Sequence, residues 1–149
     1  MDALAFLPNP DKFLLCTVGN LTEEIDSHGV SHFHLGTIAD ERLMAMVYNS
    51  ADIFVHPATE DNFPNVVIEA LSCGVPVTGF NIGGMAEMVI QEKNGLLSDD
   101  INPEKLAKNI VQLLDLKLDR AKISVDAHEK FDQKLQAKNF EELFKFILS

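Results

Sequence analysis

Residues 52–84 read DIFVHPATEDNFPNVVIEALSCGVPVTGFNIGG. Asp52 to His56 is a short apolar run that Pro57 ends, so it is expected to be a strand. A polar loop follows, Thr59-Glu60-Asp61-Asn62. Pro64 suits the first helical position, where its missing N–H costs nothing, and Gly74 suits the left-handed residue just past a helix end. Between them Asn65 to Cys73 is expected to be helical, and Val75 to Phe80 forms the next strand. Gly83-Gly84 then opens a short helix through Val89, with glycines that permit close backbone approach. Strand, helix and strand in this order build a mostly parallel α/β sheet. Such sheets take their ligands outside the carboxyl ends of the strands.

The flanks carry the same alternation. Residues 13 to 18, FLLCTV, predict a buried strand that Gly19-Asn20 ends, and residues 32 to 36 predict a second, weaker one. Residues 40 to 50 carry Leu43, Met46, Val47 and Ser50 at helical spacing. Gly95 to Leu97 reads as an edge strand. Beyond residue 100 the strands stop. Asn102-Pro103 starts a helix with Leu106, Ile110, Leu113 and Leu114 as its buried stripe. A final helix is expected with Leu135, Phe140, Leu143, Phe144 and Ile147 on one face. The expected fold class is α/β: a Rossmann-like, mostly parallel sheet flanked by helices, with a helical C-terminal tail. Loops 19–31, 57–63 and 80–84 belong at its ligand-binding edge.

Composition narrows the function classes. At 149 residues the chain is one domain or a large part of one, and 46% apolar residues can form a core. Lys and Arg total 12 against 23 Asp and Glu, a net charge of −11, which argues against nucleic-acid partners and a polybasic membrane patch. No apolar run is long enough to span a bilayer, and Met1-Asp2 opens no signal peptide. Cys16 and Cys73 make no disulfide framework, so a reducing, cytoplasmic setting is the simpler expectation. Trp is absent and Tyr48 is the only tyrosine, which weakens stacking-platform functions.

Chemistry concentrates at the start of the central helix. The free N–H groups near Asn65 and Val66 form an anion site suited to a diphosphate. Glu69 lies one turn further on the same face, and a carboxylate accepting two hydrogen bonds is a natural grip for a ribose diol. His32 and His34 share one strand face, but no third ligand of fixed spacing joins them, and ordinary surface histidines are preferred to a metal site. His56 ends a strand at the functional edge. Cys73 has no basic sequence neighbour to activate it and reads as a small core hydrophobe.

Together these stretches resemble the GT-B-fold glycosyltransferases, specifically the large retaining family 4, glycosyl transferases group 1. Asp61, seven intervening residues and Glu69 match the spacing of the family's two carboxylates. Ala70-Leu71-Ser72-Cys73-Gly74-Val75-Pro76-Val77 and Gly83-Gly84-Met85-Ala86-Glu87 match the runs that follow. Upstream, residues 48–57 resemble its Y-x-x-A-D-x-x-V-x-P run. Downstream, Asn94-Gly95-Leu96-Leu97 and the tail from Phe131 to Phe144 resemble its last strand and closing helix. The resemblance implies that Glu69 holds the nucleotide ribose and that Asn65 and Val66 offer amides to the donor diphosphate. It implies that Asp61, with the backbone of Asn62 and Phe63, contacts the donor sugar, and that Gly36 to Ile38 sit near the base. It implies retaining transfer from a nucleotide-diphosphate sugar to a glycan or lipid acceptor, with no obligatory metal and no further cofactor.

Two departures qualify this. The first carboxylate is Asp61, one methylene shorter than the family's Glu; Glu60 would break the spacing. The family's opening strand and its G-R-[LF]-x-x-x-K-G loop, whose Arg and Lys neutralise the diphosphate, have no counterpart here, nor has the preceding acceptor domain. The chain is therefore expected to be a single partial domain, residues 1–149, truncated at its N-terminus and inactive alone. Its sheet part spans about residues 6–100 and its helical tail about 102–149. Its expected partners are a nucleotide sugar and the missing acceptor domain. The full-length enzyme is expected in the cytoplasm or peripherally at the inner membrane face. Self-association follows if the Phe-rich final helix is left uncovered. A non-catalytic nucleotide-sugar-binding or scaffolding remnant and a GT-B-type nucleotide-sugar epimerase are the alternatives. No G-x-G-x-x-G follows the first strand, which disfavours a dinucleotide oxidoreductase.

Overall fold

The protein is described by a computed structural model covering residues 3–21, 25–132 and 144–145. In chain order the elements are β1 (Leu14–Thr17), β2 (Ser31–His34), α1 (Glu41–Ser50), β3 (Phe54–His56), α2 (Asn65–Ser72), β4 (Val77–Phe80), α3 (Met85–Met88), β5 (Gly95–Ser98), α4 (Pro103–Asp115) and α5 (Arg120–Phe131). Short 3-10 turns at Ala3–Phe6 and Pro10–Lys12 precede them.

Every strand pairing is parallel, as the strand–helix alternation requires. Among the described residues the strands form two sheets, β1-β2 and β3-β4-β5. In the larger sheet Phe54 stands opposite Val77, and Val77 opposite Gly95. β4 is central and buried along its whole length. Its alternating side chains serve two cores. Val77 faces the core built with Tyr48, Val67, Leu71, Met85 and Ile123, and Phe80 faces the one built with Ala3, Leu7, Leu106 and Ile110. Thus α1, α2, α3 and α5 cover one side, while α4 and the first 3-10 turn cover the other. Leu71 is fully buried, and sequestering one such side chain contributes about 1.5–3 kcal/mol.

Local signals explain the helix limits. Asp40 caps α1 by accepting from the Arg42 and Leu43 amides, Asn102 caps α4 through Lys105, and Asp119 caps α5 through Lys122. Pro64 serves as the N-cap residue of α2, one position earlier than expected, and Gly74 takes up φ 72 just past its end. α4 buries Leu106, Ala107, Ile110 and Leu113, with Leu114 half-buried.

Two expectations change. The 13–18 strand exists but is not buried. Among the described residues β1 pairs with β2 alone, and the face carrying Leu14, Cys16 and Phe33 is open, with Leu14 70% and Phe33 60% exposed. The Gly95–Ser98 strand is an edge, as expected, yet fully buried because α4 packs over it. The expected final helix, with Leu135, Phe140, Leu143 and Ile147, lies outside the described residues; Phe144 alone of that face is described, and it is exposed.

Candidate functional site

The polar loop after β3 leads into the start of α2. The helix begins at Asn65 with no side-chain cap, and the amides of Asn65 and Val66 find no acceptor among the described residues. Both residues are exposed, and the first amides of a helix have no partner within it. Pro64 is buried, and its carbonyl accepts from the Val67 amide at 3.1 Å.

The Asp61–Phe63 loop is held from behind by Gly83 and Gly84. The Gly84 amide donates to the Asn62 carbonyl at 2.6 Å. A Cβ on Gly83 would run into the Asp61 carbonyl, and one on Gly84 would run into the Phe63 ring. The expected close backbone approach is thus made between two loops of the protein itself. Phe63 also meets Phe131 of α5 edge-on, with ring centroids 6.4 Å apart. Lys130 sits 5.4 Å from the Phe131 ring centroid and donates to the Glu87 carbonyl.

Each of the two spaced carboxylates is backed by an aromatic or imidazole side chain. The Tyr48 hydroxyl donates to Glu69 Oε2 at 3.0 Å. Glu69 itself is exposed, while Tyr48 is buried. Asp61 Oδ2 lies 3.4 Å from His56 Nε2, a nitrogen with no hydrogen-bond partner among the described residues. His56 stacks on Phe54 at 6.4 Å, and Phe54 meets Tyr48 edge-on at 5.7 Å. A continuous row, Glu69–Tyr48–Phe54–His56–Asp61, therefore runs beneath the site. Burial pushes the Tyr48 phenol up, helped by the adjacent Glu69 carboxylate, so it remains a donor. Burial also pushes His56 below its ordinary value, with Asp61 pulling the other way. The thiol of Cys73 is pushed up by burial and by Glu69, against the pull of Arg120, which disfavours its thiolate.

Asp61, Asn62, Phe63, Asn65, Val66 and Glu69 thus fall on one loop and the helix it starts. Gly36 and Ile38 lie in the separate loop after β2; Gly36 has φ 70, and its carbonyl accepts from Gly19. No hydrogen bond among the described residues links them to the 61–69 group. The Tyr48 and His56 contacts with the carboxylates escape sequence reasoning, although Tyr48 as the only tyrosine and His56 at a strand end both stand out. The structure adds Arg120. Its guanidinium donates to the carbonyls of Gly74 at 3.2 Å, Ala51 at 3.0 Å and Asn49 at 3.3 Å, tying α5 to the ends of α1 and α2. Elsewhere Thr17 Oγ1 lies 2.8 Å from His32 Nε2 and 3.0 Å from His34 Nδ1. Among the described residues, no three His, Cys, Asp or Glu side chains gather as a metal site, and no helix is long and apolar enough to cross a membrane.

Comparison with known proteins follows the same residues. The family model "Glycosyl transferases group 1" matches residues 2–130. A D-inositol 3-phosphate glycosyltransferase of Segniliparus rotundus is 37% identical over 71 residues, covering 48% of this chain and 16% of that protein. An uncharacterised glycosyltransferase of Methanocaldococcus jannaschii is 29% identical over 106 residues, covering 68% of this chain and 30% of that protein. The chain therefore spans less than a third of the length of these curated relatives. Among solved structures, Anabaena HepE in complex with UDP superposes with a TM-score of 0.77 at 24% identity, covering 97% of this chain and 43% of that one. The lipopolysaccharide outer core galactosyltransferase WaaB, in its apo form, gives 0.81 at 18% identity with the same coverages. The chain belongs to the glycosyl transferases group 1 family, and its fold is that of the GT-B glycosyltransferases.

Proposed function

We propose that this chain forms the donor-binding part of a retaining glycosyltransferase that takes a nucleotide-diphosphate sugar and serves a glycan or lipid acceptor. The observation that carries the reading is the arrangement at α2: unpartnered Asn65 and Val66 amides, with Glu69 exposed one turn on and held by Tyr48. Amides at a helix start favour a diphosphate through both their free hydrogens and the helix dipole. The Glu69 carboxylate keeps lone pairs for a ribose diol. In this reading Asp61, with Asn62 and Phe63, meets the donor sugar, and Gly36 to Ile38 lie toward the base. HepE, a solved neighbour in fold, has been crystallised with UDP and with UDP-glucose, which supports a nucleotide sugar as ligand.

The proposal extends to catalysis. Transfer needs the leaving diphosphate stabilised and the acceptor positioned, and Arg120, a cation close to α2, is committed to three backbone carbonyls. We therefore expect the isolated chain to bind donor without transferring sugar, using neither a metal nor a further cofactor. Titration calorimetry with UDP and GDP tests the site. Glu69→Ala should weaken binding by about 1–3 kcal/mol, the range for hydrogen bonds to a charged group. Unchanged affinity for both nucleotides removes Glu69 from the ligand and the reading with it. Turnover of a UDP- or GDP-sugar by the isolated chain overturns the inactivity expectation alone.

A further inference from the structure

We propose that Tyr48 is a positioning residue: by holding Oε2 of Glu69 it presets the carboxylate so that a ribonucleotide, with both ribose hydroxyls, is preferred over a 2′-deoxyribonucleotide. The inference rests on the reading of Glu69 given above and adds a residue and a selectivity to it.

Glu69 is exposed, and an exposed glutamate on a helix ordinarily samples several rotamers that a ligand must then freeze. The Tyr48 bond removes part of that freedom beforehand. A carboxylate offers about four lone-pair positions. Tyr48 takes one on Oε2, leaving the second position there and both on Oε1 for two donors from a diol. Tyr48 is itself fixed. Its ring is buried as part of the core cluster that holds Val67, Leu71 and Met85, and it packs edge-on to Phe54, which stacks on His56. The hydroxyl therefore comes from a rigid wall, while the carboxylate it holds faces solvent. Burial and the adjacent Glu69 charge push the phenol up, so it is a donor at neutral pH.

The variant Tyr48→Phe keeps the ring and deletes the donor. It leaves no buried polar group unpaired, since Glu69 is open to water. Binding of UDP, GDP and their 2′-deoxy counterparts is measured by calorimetry on the wild type, Tyr48→Phe, Glu69→Ala and the double variant, with a thermal melt of each. The wild type should prefer the ribonucleotide. Tyr48→Phe should weaken UDP or GDP by about three- to tenfold and the deoxy form by less, so that the preference shrinks. In the double variant the Tyr48 substitution should add nothing to the loss from Glu69→Ala. Equal weakening of ribo and deoxy ligands by Tyr48→Phe would mark a merely structural tyrosine, and an unchanged preference would remove its role; either overturns the proposal. If the wild type shows no ribose preference, or Glu69→Ala changes nothing, the reading of Glu69 itself fails. If Glu69→Ala abolishes the preference and Tyr48→Phe keeps it, only this proposal fails.

Discussion

Replacing Gly83 by alanine asks how much the Asp61–Phe63 loop depends on the glycine pair behind it. Gly83 has φ 46, in the left-handed region, where an L side chain costs roughly 1–2 kcal/mol. Its added Cβ would also collide with the Asp61 carbonyl and lie 2.9 Å from the Asn62 carbonyl. Both obstacles are backbone, so no rotamer change relieves them, and overpacking of this kind costs about 1–3 kcal/mol. The expected destabilisation is therefore about 2–5 kcal/mol. Gly36 provides the control: its φ is 70, and a Cβ there meets nothing within 4 Å. Gly36→Ala should show the conformational cost alone, about 1–2 kcal/mol. Urea denaturation of both variants isolates the steric part as the difference between them, provided the m-values stay equal. Since the collision is with Asp61 and Asn62, Gly83→Ala should also weaken nucleotide-sugar binding more than bare UDP or GDP. Equal unfolding free energies for the two variants would refute the claim that the loops are in register-tight contact.

Two further outcomes follow from side chains outside the loop. Arg120→Lys should cost about 1–3 kcal/mol in chemical denaturation, because one ammonium cannot reach three carbonyls that a planar guanidinium serves together; a loss below about 0.5 kcal/mol would count against the clamp. His56 titrates below its ordinary value in the folded protein, so the unfolded chain binds the proton first. Its contribution to stability is thus complete at neutral pH and lost as pH falls from about 6.5 toward the lowered folded value. His56→Gln should flatten that part of the stability profile, and an identical slope between pH 7 and 5 would show that the group driving it lies elsewhere.

Much of the fold was legible because local signals and tertiary demands agree. Pro64 and Gly74 bracket α2, Asn102 and the Leu106–Ile110–Leu113 stripe define α4, and the continuous apolar run of β4 is what a strand buried on both faces requires. At 13–18 the two disagree. That run has the composition of a doubly covered strand, but cover depends on the elements packed against it, and Leu14 of β1 is left exposed. α5 falls between the two helices expected in the tail and has no counterpart among them. It buries only Ile123 and Ala127, a stripe too thin to read, and its start is fixed by the Asp119 cap. Of the candidate site, the Asp61-to-Glu69 spacing and the open amides were readable, since both are local to one loop and helix. The Tyr48–Glu69 bond spans 21 residues and the Arg120 bonds 46 to 71, and nothing in periodicity or spacing encodes which distant side chain fills a given gap.

The Arg120 clamp also sets a timetable. During synthesis the chain emerges from its N-terminus at about 5–20 residues per second. The carbonyl of Gly74, at the end of α2, is made 46 residues before the guanidinium that secures it. For about 2–9 s the C-terminal end of α2 exists without its fastening, and the core cluster of Val67 and Leu71 lacks Ile123 of α5, which packs on α2. The newborn protein would be most vulnerable to aggregation and proteolysis in that interval. A change that slows translation between residues 74 and 120 would lengthen the exposure without altering a single residue of the finished fold.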